Sequence, residues 1–323
     1  LILTDNNLHE LPDDFGNYTQ LKKLALAGNN LKNLPASMAN CTNLELVRLS
    51  ANNLTKLDDW LLELPKLAWL AFAGNNFNKA QCLTKSTLKN TPLENFQLKK
   101  VIGQGASGVI HLAKAERNNV AVKLFKGAIT SDGYPLDEVN CCLQAANHAN
   151  LIKVLSYIEQ SEQLGLVMEL IDSNYTNLGL PPSLETCTRD TFNDGCNYSI
   201  EAVYKIAKQM ANTLTHLHTN KVSHGDIYAH NTMINEHYDV LFGDFGAATN
   251  LVMLSEYQQQ QIQLIEVRAF GCLIEDLLST VSAADKQNDL FDKMSDIAAR
   301  ATNSVIASRP SFKALNVLLN ELV

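Results

Sequence analysis

Residues 1–80 repeat at a fixed interval, and this regularity limits the fold more than any other feature of the chain. The segments LILTDNNL, LALAGNNL, VRLSANNL and LAFAGNNF follow one another with a step of 23 residues. This step aligns the asparagines Asn6, Asn29, Asn52 and Asn75. A unit of this length cannot bury a core by itself, so neighbouring repeats must stack on one another.

The pattern inside each repeat, L-x-L-x-x-N-x-L, is that of the leucine-rich repeats. Alternating residues such as Leu24 and Leu26 predict a short strand with one face turned inward. We expect each aligned asparagine to turn inward and to hydrogen-bond backbone groups of neighbouring turns. The sequence therefore predicts an N-terminal solenoid over residues 1–80. The segment after Asn75 is the candidate cap for its C-terminal end.

The outward face of the predicted strands is small and neutral. It carries Ala25, Ala27, Arg48, Ser50, Ala71 and Ala73. No residue of the repeats has the character of a catalytic group. The repeats are therefore predicted to recruit a protein partner or substrate, and this face is the candidate surface for it.

Composition excludes several classes of partner. A net charge of −8 argues against nucleic acid, because phosphate backbones require a basic surface. The apolar stretches fall short of the roughly 20 residues that span a bilayer, so no transmembrane segment is predicted. The seven cysteines form no Cys-x-x-Cys pair, which predicts free thiols and a cytoplasmic location. The chain begins inside a repeat, so we expect further sequence before Leu1.

A different pattern begins at Phe96, where β-type residues flank the glycines Gly103, Gly105 and Gly108. An ordinary hairpin, a dinucleotide-binding fold and a phosphate-covering hairpin can all contain G-x-G-x-x-G. A dinucleotide-binding fold requires the glycines to open a helix, whereas Val109-Ile110-His111-Leu112 favours a strand. The pattern therefore favours a hairpin whose backbone N–H groups approach phosphate oxygens.

Four further motifs follow in order. The strand-like V-A-V-K ends on Lys123, and Glu138 opens the apolar-periodic segment EVNCCLQAA, which predicts a helix. The spacing H-x-D-x-x-x-x-N places Asp226 and Asn231, and FGDFG places Asp244. This ordered set resembles the eukaryotic-type protein kinase family over about residues 96–323. Together with the repeats, the chain resembles the fused leucine-rich-repeat kinases of bacteria.

The resemblance implies an α/β chain with two kinds of architecture. The N-terminal leucine-rich-repeat solenoid would be followed by a bilobal α+β protein-kinase-like fold with a shortened activation segment. The expected domains are the repeats (1–80), a cap or linker (81–95), the N-lobe and hinge (96–171) and the C-lobe (172–323).

The resemblance also assigns catalytic roles, with ATP and Mg²⁺ as the implied cofactors. Lys123 would hold the α- and β-phosphates, and Glu138 would hold Lys123. Asp132 and Asp137 are poorer candidates for that pairing. Asp226 would accept or orient the substrate hydroxyl. The glycine loop over the phosphates would comprise Gly103, Gln104, Gly105 and Gly108, and the magnesium ligands would be Asn231 and Asp244.

The same resemblance predicts an adenine pocket. Ile110 and Ala121 would form its roof and Met233 its floor. The hinge segment LVMELI would place Met168 as the gatekeeper, with backbone groups of Glu169 and Ile171 at the adenine edge.

The sequence departs from the family at the catalytic loop, which we define as residues 224–231. Gly225 stands where H-R-D has arginine, and Tyr228 stands where serine/threonine kinases have lysine. Without that arginine, activation by a phosphate on the activation loop is not expected. Only about twenty residues separate Gly246 from Glu266, which replaces the usual Asp of the core helix, and no A-P-E lies between.

Three functions fit these observations. The first is a serine/threonine protein kinase in which the repeats recruit a partner. The second is a pseudokinase scaffold that binds nucleotide without turnover, which the short activation segment favours. The third is a small-molecule kinase, because His-Gly-Asp also occurs in aminoglycoside- and choline-type kinases, although those lack the A-V-K and D-F-G context found here.

Overall fold

The computed structural model describes most of the chain. The described residues are 1–79, 87–105, 107–116, 118–127, 129–130, 132–161, 163–183, 186 and 188–322. We call residues 1–79 the repeat region and 87–322 the cleft region. The predicted cap or linker over 81–95 lies partly outside the described residues. None of the helices in the described ranges has the length and apolar character that a membrane span requires.

The repeat region is built on short parallel strands. These are β1 (Lys23–Ala25), β2 (Leu46–Arg48) and β3 (Trp69–Ala71), with a one-turn helix α1 (Asp59–Leu62) before β3. Strand β2 pairs in parallel with both β1 and β3, and Val47 lies opposite Leu24 on one side and Leu70 on the other. Strands from successive repeats therefore stack side by side, as the sequence pattern predicts.

The aligned asparagines hold neighbouring repeats together. Asn52 is buried, and its Nδ2 donates to Leu26 O at 2.9 Å and to Leu49 O at 3.0 Å, while its Oδ1 accepts from Leu31 N. Buried backbone groups need such partners, because an unpaired one costs about as much as a lost hydrogen bond. Asn6 differs: it is exposed and donates to Thr4 O of its own turn.

The first half of the cleft region is an antiparallel sheet with one helix. Its strands have the order β4-β5-β6-β8-β7. Their bounds are β4 (Phe96–Gln104), β5 (Gly108–Ala115), β6 (Asn118–Phe125), β7 (Val154–Gln160) and β8 (Gln163–Glu169), and helix α2 (Pro135–Ala145) lies between β6 and β7 in sequence. Val122 and Ile158 are buried in one small core of this sheet, while Val139 of α2 and Leu166 of β8 are buried in another.

The second half is mainly helical. Its elements are β9 (Thr176–Asn177), α3 (Ile200–Thr219), β10 (Val222–Ser223), β11 (Thr232–Ile234), β12 (Val240–Phe242), β13 (Thr249–Asn250), α4 (Glu256–Ser279), α5 (Asp289–Ala301) and α6 (Phe312–Asn320). Helices α3, α4, α5 and α6 are each preceded by an N-cap residue whose side chain accepts a backbone N–H of the first turn. These residues are Ser199, Ser255, Asn288 and Ser311. Such caps satisfy donors that a helix N-terminus leaves unpaired.

The repeat region and the cleft region share a core. Leu46 of β2 and Trp69 of β3 are buried in the same cluster as the helices α3 and α4. The Trp69 indole stacks on the Tyr228 ring, with centroids 4.8 Å apart and planes at 6°, and its Nε1 donates to Ile227 O at 3.0 Å. The outward face of the repeat strands therefore lies directly against the catalytic loop.

The shared core corrects the expectation that this strand face is open to a partner. All six residues predicted to form the face are buried: Ala25, Ala27, Arg48, Ser50, Ala71 and Ala73. The sequence pattern showed correctly which residues point outward. It could not show that another part of the same chain covers them.

The C-terminal end of the repeats is also covered by residues that lie far away in the sequence. Leu251, Leu254, Ile262 and Ile265 are buried in one cluster with the repeat leucines. The predicted cap, the segment after Asn75, contributes Phe77, whose ring lies 6.1 Å from that of Phe72; residues 80–86 lie outside the described ranges. Helix α4 thus belongs to two cores, with its first half on the repeats and its second half in the cleft region.

Replacing Trp69 by alanine is expected to destabilise the whole chain. The change removes a buried indole, a stacked ring and a hydrogen bond, so the free energy of unfolding should fall by about 4 kcal/mol. Urea unfolding followed by circular dichroism measures this loss. Trp60, half-buried on α1 in the repeat region, supplies the matched control, and Trp60→Ala should cost clearly less. Equal losses of unfolding free energy in Trp69→Ala and Trp60→Ala would contradict the shared core.

Candidate active site

A cleft of about 660 Å³ lies between the sheet and the helical half of the cleft region. Every residue predicted to bind the nucleotide lines it: Gly103, Gln104, Gly105, Gly108, Ile110, Ala121, Lys123, Met168, Glu169, Ile171 and Met233. Glu138, Asn231 and Asp244 line the same cleft. The structure therefore brings together residues that are as much as 141 positions apart, from Gly103 to Asp244.

The glycine loop is the turn between β4 and β5. Gly105 N donates to Gly108 O at 3.0 Å, and a Cβ on Gly105 would meet no atom within 4 Å, so this backbone is open to the cleft. A Cβ on Gly108 would lie 2.5 Å from Leu124 O on β6. Glycine at 108 is therefore required by close packing, and glycine at 105 leaves room for a ligand.

Lys123 on β6 and Glu138 on α2 form a buried ion pair that joins the sheet to its helix. Burial opposes the charge on Lys123, but Glu138 and Asp244 outweigh it and raise the pKa of the lysine. The poorer candidate Asp132 pairs instead with Arg48 of the repeat region. The structure thus places Glu138 in the position that the sequence predicted for it.

The catalytic loop is held from beneath by buried polar contacts. His224 is fully buried, its Nε2 lies 2.9 Å from Gly243 O, and its ring stacks on Phe242. Glu266 of α4 accepts from Gly225 N at 2.6 Å and lies 2.6 Å from His218 Nε2. Glu266 therefore anchors the loop to the helix. The pKa of His224 is lowered, mainly because burial disfavours the imidazolium.

Asp226 is held from two sides. Asn231 Nδ2 donates to Asp226 Oδ2 at 2.8 Å and to Asp226 O at 2.9 Å. On the other side, Arg48 of β2 donates through Nη2 to Asp226 Oδ1 and through Nη1 to Gly225 O at 2.7 Å. Burial raises the pKa of Asp226, but Arg48, His230, His224 and Asn231 lower it by more, so the carboxylate is ionised.

The donor set fits a magnesium ion carried with phosphates. Among the described residues, no group of three His, Cys, Asp or Glu side chains could hold a metal ion. Mg²⁺ bound with a nucleotide needs few protein ligands, because phosphate oxygens and waters complete its shell. The exposed Asp244 carboxylate and the Asn231 side-chain oxygen, both in the cleft, supply such ligands.

Asp190, in the polar insert over 173–199, supports the catalytic loop. Asp190 Oδ1 accepts from Ala229 N at 2.7 Å, and Asp276 Oδ2 accepts from Asp190 N at 2.8 Å. Arg189 pairs with Asp276 at 2.6 Å. Burial raises the pKa of Asp190 to about 7, although the hydrogen bond from Ala229 lowers it.

Sequence reasoning missed two residues of this site, Arg48 and Asp190. Arg48 is the charged residue on a strand face that is otherwise small and neutral, and this contrast is the signal by which the sequence could have singled it out. Asp190 lies in a polar segment without periodicity, and nothing in the pattern sets it apart from Asp194 nearby.

Glu138→Gln should destabilise the cleft region, because it leaves the Lys123 ammonium buried without a counterion. Breaking a buried pair in this way costs about 3 kcal/mol or more of unfolding free energy. Denaturant unfolding tests this. Asp296 pairs with Arg300 on the surface of α5 at 2.7 Å, so Asp296→Asn is the control and should cost less than about 1 kcal/mol. A small loss at position 138 would mean that the pair is not structural.

Asp190 should make stability depend on pH. Its pKa in the folded chain, about 7, lies above the value near 4 of an unfolded aspartate. The folded state therefore binds the proton more tightly, and its contribution to stability is complete below about pH 4 and is lost as the pH rises towards 7.

Asp190→Asn keeps an acceptor for Ala229 N and should flatten this decline in urea unfolding between pH 4 and 7. The exposed Asp194→Asn is the control and should leave the slope unchanged. The charged groups that interact with Asp190, namely Asp276, Arg189 and Asp226, are the same in the parent and in this variant. A slope in Asp190→Asn equal to that of the parent would contradict the raised pKa.

Comparisons with known proteins agree with the geometry. Residues 96–264 match the protein kinase domain family, and residues 19–77 match the leucine-rich repeat family. The serine/threonine-protein kinase PITSLRE of Drosophila melanogaster is 26% identical over 62% of this chain and 23% of its own length.

Two further relatives are kinases by name. The CTD kinase subunit alpha of Schizosaccharomyces pombe is 23% identical over 55% of this chain and 32% of its own length. A probable myosin light chain kinase of Dictyostelium discoideum is 26% identical over 49% of this chain and 48% of its own length. The chain thus spans from about a quarter to about a half of the length of these curated relatives. With more than half of its length matched, the chain belongs to the protein kinase domain family and carries a leucine-rich repeat region before that domain.

Proposed function

We propose that the chain is an ATP-dependent protein kinase that transfers the γ-phosphoryl group of ATP to serine or threonine hydroxyls. The observation that carries this proposal is the convergence of the Lys123–Glu138 pair, Asn231 and Asp244 on one cleft. Asp226 does not itself line the cleft, but it accepts a hydrogen bond at 2.8 Å from Asn231, which does. The serine/threonine kinase PITSLRE among its relatives supports the substrate class. We further propose the fused leucine-rich-repeat kinases of bacteria as its subfamily, on the basis of the domain combination.

Each side chain has a distinct task in this proposal. The open backbone at Gly105 lies over the phosphates, and Lys123 binds the α- and β-phosphates. Asn231 and Asp244 would hold Mg²⁺, which would neutralise charge on the phosphates. Adenine would lie between Ile110 and Ala121 on one side and Met233 on the other. Met168 would lie at its inner end, and the backbone of Glu169 and Ile171 would meet its edge; all six residues line the cleft.

Asp226 acts on the second substrate. About 22% of its side chain is exposed, so a hydroxyl group can reach the carboxylate. The hydroxyl oxygen attacks the γ-phosphorus. The bond between the γ-phosphorus and the oxygen that bridges the β- and γ-phosphates breaks, and ADP leaves. Asp226, ionised in the folded chain, accepts the hydroxyl proton.

The covered strand face limits how a protein substrate can bind. The repeats lie against the catalytic loop through Trp69 and Tyr228, and only nine residues separate Gly246 from Glu256 at the start of α4. A hydroxyl on an extended, flexible segment fits this access better than one on a rigid surface. Recruitment of a partner by the repeats, which we retain in the proposal, must use residues outside the strand face.

Two other functions have support. The Arg48–Asp226 contact would favour a scaffold that binds nucleotide without turnover, if the contact prevents proton transfer. Restricted access to the catalytic loop would favour a small hydroxylated substrate over a protein. Both remain alternatives that the following experiment separates.

Asp226→Ala should reduce phosphoryl transfer from labelled ATP with Mg²⁺ by about 10²- to 10⁴-fold, because the residue removed is the proton acceptor. Label on protein and label on small molecules are measured in the same reaction. The matched control is Asp194→Ala, which replaces an exposed aspartate of the insert and should retain full activity. Transfer by Asp226→Ala equal to that of the parent would contradict the proposal. No transfer by the parent chain would favour a scaffold.

A further inference from the structure

The catalytic loop lacks the two cationic side chains that the family pattern has there, and the repeat region places one cationic side chain beside it. Gly225 and Tyr228 occupy the positions where the sequence departs from the family, and neither carries a positive charge. Arg48 lies against the same loop although it is 178 positions away from Asp226 in sequence. Its guanidinium is therefore a candidate for the charge that the loop does not supply.

Each of the three guanidinium nitrogens of Arg48 contacts a different partner. Nη1 donates to Gly225 O, Nη2 donates to Asp226 Oδ1, and Nε lies 3.4 Å from Asp132 Oδ1. The residue is 7% exposed, and the planar fork of a guanidinium fixes these partners relative to one another. Lysine could not reproduce this arrangement, because its ammonium is a single point of charge.

Gly225 shows that the repeats and the loop fit together at this point. Its φ is +73°, which residues with a side chain rarely adopt. A Cβ at this position would lie 2.6 Å from Ala247 O and 2.9 Å from Leu70 O of the repeat region. The space that a side chain at position 225 would need is thus occupied by the backbone of Ala247 and by that of Leu70 in β3, and Arg48 approaches from the neighbouring strand.

The contact does not have the properties of a removable lock. A lock must open, and opening here would expose Leu46 and Trp69, which are 3% and 2% exposed in the shared core. Asp226 also keeps about a fifth of its side chain accessible while Arg48 is in place. The geometry therefore favours a permanent support of the carboxylate over a block.

We propose that Arg48 is a positioning residue for phosphoryl transfer, supplied to the catalytic loop by the repeat region of the same chain. It orients Asp226 and the backbone at Gly225 in place of a cation within the loop. The inference rests on the proposed function, because the positioned group is the acceptor of the hydroxyl proton. It adds a catalytic task to the repeats besides partner binding.

The first test is kinetic. Arg48→Met keeps the length and apolar stem of the side chain and removes its charge. It should lower kcat by about 10²-fold, because displacement of a catalytic group by about 1 Å costs that much. The KM for ATP should stay within about twofold, since Arg48 does not line the nucleotide cleft. Arg48→Lys should retain only part of kcat, and guanidinium ion added to Arg48→Ala should restore part of it.

The matched control is Arg309→Met. Arg309 is also buried where the repeats meet the cleft region, and it donates to Pro65 O at 2.6 Å and to Leu264 O at 3.0 Å. It has no contact with the catalytic loop among its hydrogen bonds. This variant should lose stability but keep kcat. An equal fall of kcat in both variants would show that Arg48 has a purely structural role and would overturn the proposal. A rise of kcat in Arg48→Met would also overturn it, because Arg48 would then be a lock.

The second test does not depend on activity. Hydrogen exchange of the peptide containing residues 224–231, followed by mass spectrometry, should be faster in Arg48→Met and unchanged in Arg309→Met. If the parent chain transfers no phosphate, the proposed function fails, and this measurement still decides whether Arg48 holds the loop. Unchanged exchange in Arg48→Met would overturn the positioning role in either case.

Discussion

The contact between the outward face of the repeat strands and the catalytic loop is the interaction on which the rest of the arrangement depends. Trp69 lies flat on Tyr228 and donates to the loop backbone, while Arg48 on the neighbouring strand reaches Asp226. Because both anchors lie on adjacent strands of one parallel sheet, their separation is fixed by strand spacing. The loop is therefore held against a rigid surface, and the segment between Gly246 and α4 can be short without leaving the loop unsupported.

Charge burial explains why this surface must fit closely. Arg48 lies between the carboxylates of Asp226 and Asp132, which together raise its pKa against the effect of burial. Lys123 and Glu138 form a second buried pair on the other side of the cleft. A buried ion pair contributes little to stability, because desolvation offsets most of the attraction. Both pairs therefore position groups around the cleft more than they stabilise the fold, and the shared apolar core does the stabilising.

The residues of the cleft could be assigned from the sequence because its motifs carry their own spacing. Residues from Gly103 to Asp244 were assigned by order and distance along the chain, and with the exception of Asp226 they line one cavity. The repeat strands were equally regular, since a fixed step of 23 residues leaves one stacking register. The support of the catalytic loop was not predictable in this way. Arg48 and Asp190 act on the loop from 178 and 39 positions away, and no periodicity relates them to it.

The departures from the kinase pattern lie at positions that contact the repeat region. A glycine at 225, a tyrosine at 228 and a short activation segment look like separate losses when each is compared with the family. In the folded chain, Gly225 leaves room for the backbone of both Ala247 and Leu70, and Tyr228 provides the ring on which Trp69 stacks. Leu251 and Leu254 are buried against the repeat leucines. Each change accommodates the repeat region. The repeats and the kinase domain consequently share apolar clusters, and removing the repeats would take away part of the packing around Tyr228, Leu251 and Ile262.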